Sequence, residues 1–377
     1  MHIVFLSGEY PLWTSGGVGT FIQTLGRALV SRDHRVSVVG IGKDDREIEL
    51  EDQGVKIYRL PVNKGKLPNF WVNSKRINKK LSALHAQHPI DILESAEGGM
   101  ALISSKHKAK RVVRLHGGHH FFAEAEKRSI QWRRAQLEKR SFKRADGFIA
   151  VSTYVKEHTA NYLSYYGKPM EVIHLPLDVT VQLPDVPLRE NNILFAGTIC
   201  EKKGVRELLQ AFRLVRERYP EKQLDLYGRE WYYPNGGTYE AMLRDTYDAS
   251  YFENVHFQGS IPRDQLDTKY AEAAFCVFPS HMETQGLVCL EAMLMAKAVV
   301  FTQYGPGPET VEDGHTGWLC DVYNPDDIAQ KMIWCIEHPE KARQMGESAR
   351  QQVIRKYDAS SILEQNISFY QKLIDHQ

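Results

Sequence analysis

The chain has 377 residues, 42% of them hydrophobic and 25% charged, which excludes a disordered chain and at this length predicts two domains instead of one core. No apolar stretch approaches the roughly 20 residues of a membrane span, and Met1 leads into the apolar segment 2–6 without a basic leader, so the sequence predicts a soluble, cytoplasmic protein. The net charge of +1 conceals an asymmetry: residues 1–180 carry 28 Lys/Arg against 18 Asp/Glu, and the remainder 20 against 29. A basic first half suits an anionic partner such as a phosphorylated acceptor, a lipid surface or nucleic acid, although solvated helix faces account for it equally well.

In chain order, the apolar run at 2–6 reads as a strand, and strand patterns recur at 36–39, 56–60, 90–93, 111–115, 147–151 and 171–174. Helical patterns fill most intervals, notably 17–31, 72–87 and 124–143, and such alternation predicts a doubly wound parallel sheet. The densest basic runs are 64–80, interleaved with Phe70 and Trp71, and 106–114; aromatics among lysines suit either a membrane interface or ordinary core. Residues 176–191 hold Pro176, Pro184 and Pro187 without helical period and mark a linker. The alternation then restarts, with strands near 192–196, 223–227, 254–257, 275–278, 298–301 and 317–319 and helices near 204–218, 237–248 and 325–337. The expected architecture is α/β, with doubly wound domains at 1–175 and 192–357. The last segment, 358–377, has apolar positions from Ile362 to Ile374 that predict a helix crossing back to the first domain. Cys200, Cys276, Cys289, Cys320 and Cys335 form no CxxC pair and read as reduced, packed thiols.

Four segments carry candidate chemistry. Ser15-Gly16-Gly17-Val18-Gly19-Thr20 follows the first strand at the mouth of a helix, where Gly16 and Gly17 let backbone amides approach a phosphate or sugar without a Cβ clash. A plain turn is the competing reading, and the spacing falls short of a dinucleotide fingerprint. Arg114-Leu115-His116-Gly117-Gly118-His119-His120 ends a strand in histidine and two glycines, which aims His116 at the crevice, within reach of a sugar hydroxyl. A metal is the poorer reading of these histidines, because no carboxylate or cysteine accompanies them at ligand spacing. In the second half, Gly197 and Thr198 end a strand, and Lys203 precedes Gly204 at the next helix start; a point charge beside helix amides suits a diphosphate. Finally, Glu283 and Glu291, eight positions apart, straddle a strand–helix junction, Glu283 in the loop and Glu291 within the helix. Two fixed acceptors beside unpaired helix amides suit a polyhydroxylated, phosphorylated ligand. The glycines of Gly305-Pro306-Gly307 and Asp313-Gly314 read as tight turns.

Together these residues resemble the retaining glycosyltransferases of the large bacterial family four, with the GT-B fold of two Rossmann-like domains facing across a cleft. The resemblance rests on the glycine loop, His116, Asp146 with Ser152, Gly197 with Lys203-Gly204, and most specifically on Pro279-Ser280-x-x-Glu283-x-x-Gly286-x-x-x-x-Glu291-Ala292. It implies that Glu291 binds the ribose hydroxyls of a nucleotide, that Glu283 with the amides of Thr284, Gln285, Gly286 and Leu287 binds the transferred sugar, and that Lys203 neutralises the departing diphosphate. The implied reaction moves a hexose or N-acetylhexosamine, with retention, from a nucleoside diphosphate sugar to an acceptor hydroxyl in glycan, lipid-linked saccharide or glycoconjugate biosynthesis. Family frequency favours a UDP-linked donor. A donor phosphate oxygen takes the acceptor proton, so no dedicated base is required. No D-x-D triplet occurs, so neither a metal nor another cofactor is expected. The acceptor side falls to the basic first domain, which also implies an anionic acceptor and peripheral contact with the inner face of a membrane; nucleic acid is not implied.

The chain departs from the family pattern at three places. Thr198 stands where the family has arginine, which removes one phosphate-binding cation or moves it to Arg229 in Tyr227-Gly228-Arg229-Glu230. Gln285 replaces the common aromatic before Gly286, and Ile173-His174-Leu175-Pro176-Leu177-Asp178 replaces the usual linker entry. Rival readings are a nucleotide-sugar epimerase or phosphorylase on the same architecture, a dehydrogenase using Gly16 to Gly19 with Asp44 or Asp45 on a ribose, and a catalytically silent binding protein.

Overall fold

The structure is a computed structural model that describes residues 1–12, 16–65, 68–125 and 128–375. Ser15 of the glycine loop and Lys66 of the basic run lie outside the described residues. The chain divides into two compact units, Met1–Leu177 with Tyr357–Gln377, and Asp178–Lys356.

The first unit runs β1 (His2–Leu6), α1 (Gly17–Val30), β2 (Arg35–Ile41), β3 (Ile48–Asp52), β4 (Val55–Leu60), α2 (Asn69–Gln87), β5 (Ile92–Ser95), β6 (Lys110–Leu115), α3 (His119–Ala125), α4 (Trp132–Arg144), β7 (Gly147–Ala150), α5 (Thr153–Ala160) and β8 (Met170–Val172). The sheet order is β3-β4-β2-β1-β5-β6-β7-β8, parallel except for the β3–β4 hairpin. The strands are nearly continuous apolar runs because helices cover both faces; Ile3, Val4, Val36, Val38, Ile92, Leu93, Val112 and Val113 are all fully buried. Strand β3 escapes the sequence pattern because Ile48-Glu49-Leu50-Glu51 is half charged. It exists because Gln53 (φ +47°) and Gly54 (φ +86°) make a two-residue turn, the geometry that closes a twisted hairpin. The expected single helix over 124–143 is instead two, α3 and α4.

The second unit runs β9 (Arg189–Ala196), α6 (Val205–Arg218), β10 (Gln223–Tyr227), α7 (Tyr239–Thr246), β11 (Val255–Gly259), α8 (Arg263–Glu272), β12 (Ala273–Phe278), α9 (Leu287–Leu294), β13 (Val299–Thr302), α10 (Gly307–Thr310), β14 (Trp318–Cys320), α11 (Pro325–Glu337) and α12 (Pro339–Tyr357). Its sheet is parallel, in the order β11-β10-β9-β12-β13-β14. Because β9 is the first strand and lies between β10 and β12, the winding direction reverses there, and ligands of such sheets collect outside the carboxyl ends of the strands flanking that reversal. The five cysteines are free and buried.

Helix α13 (Ala359–Asp375) belongs to the first unit. It approaches β7 so closely that a Cβ at Gly147 would meet Leu373 at 2.9 Å and Phe369 at 3.0 Å. Among the described residues, no helix is long and apolar enough to cross a membrane.

Candidate active site

The carboxyl ends of β9, β10 and β11 are stitched together by backbone: Gly197 N donates to Tyr227 O (2.9 Å), Ile199 N to Arg229 O (2.9 Å) and Gly228 N to Gly259 O (2.9 Å). Gly197 (φ +147°) and Gly228 (φ +158°) take backbone angles that side chains rarely adopt. A Cβ at Gly228 would also lie 1.7 Å from the carbonyl oxygen of Gly197. This tight crossing brings together Thr198 and Arg229, whose Nε donates to Thr198 Oγ1 at 3.3 Å. Arg229 therefore stands beside the position that lacks the family arginine.

Lys203 ends a single 3-10 turn, Glu201–Lys203, and Gly204 follows in the left-handed conformation (φ +68°) to open α6. A Cβ on Gly204 would sit 1.9 Å from Pro279 O, and His281 N donates to Lys202 O at 3.0 Å. The loop after β9 thus lies directly against the loop after its sheet neighbour β12. Lys203 Nζ meets Glu283 Oε1 at 2.5 Å, and Ser280 Oγ donates to the same oxygen at 2.8 Å. Glu283 is 8% exposed. Two residues expected to act on different parts of a donor, Lys203 on the diphosphate and Glu283 on the sugar, are one ion pair in this structure.

Gly286 (φ +79°) caps α9, and a Cβ there would collide with the Phe301 ring at 2.6 Å. Helix α9 opens at Leu287, so Thr284 and Gln285 lead directly into the positive end of a helix dipole. Gln285 is buried, and its carbonyl accepts from Thr310 Oγ1 at 3.3 Å. Glu291 lies within α9, as the sequence predicts, and Arg263 of α8 forms an ion pair with it. Nothing in the sequence signals that contact, since 28 positions separate the two residues.

In the first unit, Gly16 and Gly17 open α1, but the carboxylate of Glu9 already faces that helix start. Gly19 N donates to Glu9 Oε2 at 3.3 Å, and a Cβ at Gly16 would lie 2.2 Å from the same oxygen. The missing side chain at Gly16 therefore makes room for Glu9, a structural reason independent of any ligand. His116 follows β6 and packs its ring against Phe21 of α1, centroids 5.2 Å apart. Burial, and next the positive charge of Arg114, hold His116 down at about 3, so the ring is neutral at ordinary pH and can accept as well as donate. The neighbouring histidines are engaged elsewhere: His119 Nε2 accepts from Gln131 N at 2.8 Å, and His120 Nδ1 lies 2.5 Å from Glu138 Oε2. Among the described residues, no group of three or more His, Cys, Asp or Glu is arranged to hold a metal ion.

Two motif residues have local structural roles. Asp146 accepts from Arg111 N at 2.8 Å, and Ser152 caps α5 by accepting from Val155 N at 3.1 Å. Two buried acids escape sequence reasoning. Glu138 receives the amides of His119 and His120, and Glu97 lies beneath Gly118, where a Cβ would meet its Cγ at 2.9 Å. Asp45, a candidate ribose ligand in the dehydrogenase reading, is paired with Lys64 at 3.1 Å.

Residues 183–352 match the family described as glycosyl transferases group 1, and residues 15–181 match glycosyltransferase family 4. A GDP-mannose-dependent alpha-(1-6)-phosphatidylinositol monomannoside mannosyltransferase of Mycolicibacterium smegmatis is 24% identical, the match covering 92% of each chain. Sucrose-phosphate synthase of Thermosynechococcus elongatus superposes with a TM-score of 0.86 at 20% identity over 100% of both chains. HepE of Anabaena, in complex with UDP and glucose, superposes with a TM-score of 0.77 at 18% identity over 99% of this chain and 100% of that one. These superpositions show the GT-B fold. With the two family matches covering most of the sequence, one on each unit, the chain belongs to the group 1 (family four) glycosyltransferases and is a transferase of that class.

Proposed function

We propose that this enzyme transfers a hexose or N-acetylhexosamine from a UDP-linked donor to an acceptor hydroxyl with retention of anomeric configuration. The observation that carries the reading is the Lys203–Glu283 pair at the β9–β12 reversal, with Glu291 inside the short helix α9 that follows the Glu283 loop. A UDP donor is supported by fold relatives solved with UDP, UDP-glucose or as UDP-forming synthases, while the mannosyltransferase relative makes GDP the competing nucleotide.

In this reading the bond from the anomeric carbon to the diphosphate oxygen breaks as the acceptor oxygen bonds to the same face. The acceptor proton passes to a donor phosphate oxygen. Negative charge grows on the leaving diphosphate, where the Lys203 ammonium, the α9 amides and Arg229 stabilise it, so no metal or dedicated base is required. Glu283, released from Lys203 as the diphosphate takes the ammonium, accepts from the sugar hydroxyls. Glu291 holds the ribose. His116, as a neutral ring, bonds a sugar hydroxyl, and the first unit carries the acceptor.

The exposed Trp71 (65%) and Phe70 (46%), ring centroids 5.4 Å apart at the start of α2, are not core. With Lys75 and Lys79, exposed at i+4 and i+8 from Trp71 on the same helix face, they support peripheral contact with an anionic lipid surface, and hence a lipid-linked acceptor. Incubation with UDP- and GDP-hexoses, with and without lipid-linked or free saccharide acceptors, tests the proposal. Acceptor-dependent release of UDP with an α-linked product from an α-linked donor supports it. Release of GDP alone, an inverted product, or turnover requiring inorganic phosphate or a nicotinamide contradicts it.

A further inference from the structure

Helix α8 presents Arg263, Asp267 and Tyr270 at i, i+4 and i+7, so they share one face. That face meets Glu291 of α9. Arg263 Nη1 pairs with Glu291 Oε1, Arg263 Nη2 lies 2.8 Å from Asp267 Oδ1, and the fully buried Tyr270 hydroxyl lies 3.5 Å from Glu291 Oε2. A stripe between packed helices is normally apolar; this one is spent on holding a single carboxylate. The Arg263 side chain is also 43% exposed, and an ion pair that solvent reaches contributes about 0–1 kcal/mol to stability. Stability alone does not account for the arrangement. Arg263 follows by three residues Ser260, which with Gly259, Arg229, Trp231 and Phe257 lines a cavity of about 700 Å³. Arg263 therefore follows closely along the chain a residue that lines an opening at the strand ends of this unit.

We propose that Arg263 is a positioning residue that makes the donor site specific for ribonucleotides: by fixing one oxygen of Glu291 it presents the rest of the carboxylate to a ribose diol. This rests on the assignment of Glu291 to the ribose. A carboxylate anchored on one side is pre-organised to accept two hydroxyls, and a nucleotide lacking one hydroxyl leaves a desolvated acceptor unpaired.

The test is calorimetric binding of UDP and GDP against their 2′-deoxy counterparts. The native enzyme should bind the deoxy form about 10-fold more weakly. Arg263→Ala should shrink that ratio several-fold with little change in Tm, and Arg263→Lys should restore most of it. An unchanged ratio in Arg263→Ala, or tighter binding of the ribonucleotide, overturns the proposal. Glu291→Ala separates the two levels. If it abolishes the ratio while Arg263→Ala does not, only the role of Arg263 falls; if it leaves the ratio intact, the assignment of Glu291 to ribose falls first.

Discussion

Lys203 and Glu283 stand 80 residues apart in sequence and 2.5 Å apart in the fold. Their contact follows from β9 and β12 being neighbours, and from Gly204 letting the Lys203 turn press against the carbonyl of Pro279. The ammonium is thus held in place, already compensated, before any diphosphate arrives. Removing one preorganised donor to a developing charge typically lowers turnover about 10²–10³-fold. Lys203→Ala should show a loss of that order in nucleoside diphosphate release, with Lys203→Arg retaining part of the rate. A rate within a few fold of native would place the leaving-group charge elsewhere.

Glu283 and Glu291 should separate kinetically. Glu291→Ala removes a contact made equally in ground and transition states, so it should raise KM and weaken nucleotide binding about 10-fold while kcat changes less. Glu283→Ala should lower kcat with nucleotide affinity nearly retained, because its partner in turnover is the sugar. Indistinguishable effects of the two substitutions on kcat and KM would refute the division of labour.

Arg229 donates to Thr198 at 3.3 Å, so the cation missing at 198 has a neighbour able to replace it. Arg229→Ala should weaken UDP binding more than it weakens uridine binding, by about 10-fold for a lost charged hydrogen bond. Equal loss for both ligands would show that Arg229 reads the nucleoside and not its phosphates.

The sheets and the Glu283–Glu291 junction were legible because they depend on local pattern: apolar strands that end in Pro279 or Gly197, then helix-forming runs. What stayed hidden depends on meetings across sequence. The Glu9 carboxylate over Gly16, the Arg263 guanidinium on Glu291 and the hairpin partner β3 are all set by tertiary packing, and Ile48-Glu49-Leu50-Glu51 carries too much charge to read as strand. Asp146 and Ser152 illustrate the opposite case, motif residues whose contacts are an amide at the start of β6 and a helix cap. The Lys203–Glu283 pair falls between the two. Each member stood out alone, but their union required knowing that β12 returns beside β9.

The first unit holds a fully buried Arg114, whose guanidinium meets both oxygens of Glu94 (2.6 and 3.2 Å), Asn366 (2.5 Å) and Tyr370 (3.3 Å). Tyr370 in turn donates to Glu94 at 2.6 Å, tying α13 to β5 and β6. Stripping one partner from a buried ion pair leaves an uncompensated charge and costs about 3–5 kcal/mol. Glu94→Ala should therefore destabilise far more than Tyr370→Phe, which loses one hydroxyl at about 1–2 kcal/mol. Urea unfolding of both variants checks this, and a smaller loss for Glu94→Ala would contradict the network's role.

Glu97 gives a pH dependence with a definite sign. Burial, and then the nearby Glu138 carboxylate, push its carboxyl up to about 8, against a smaller opposing pull from backbone amides including those of Gly117 and His116. In the unfolded chain the same group ionises near its ordinary 4.5. Between these values the folded state holds a proton that the unfolded state has lost, so stability falls as pH rises through that window and levels off above it, at up to about 1.4 kcal/mol per pH unit. Glu97 Oε1 is buried with no hydrogen-bond partner, so an amide of the same shape replaces the neutral acid without a new desolvated charge. Glu97→Gln should therefore match the native protein near pH 5 and be the more stable of the two near pH 9. Because the variant differs only at this group, subtracting the two Tm-versus-pH curves isolates its titration from that of the histidines. A difference curve that stays flat from pH 5 to 9 would show that Glu97 is already ionised in the folded protein.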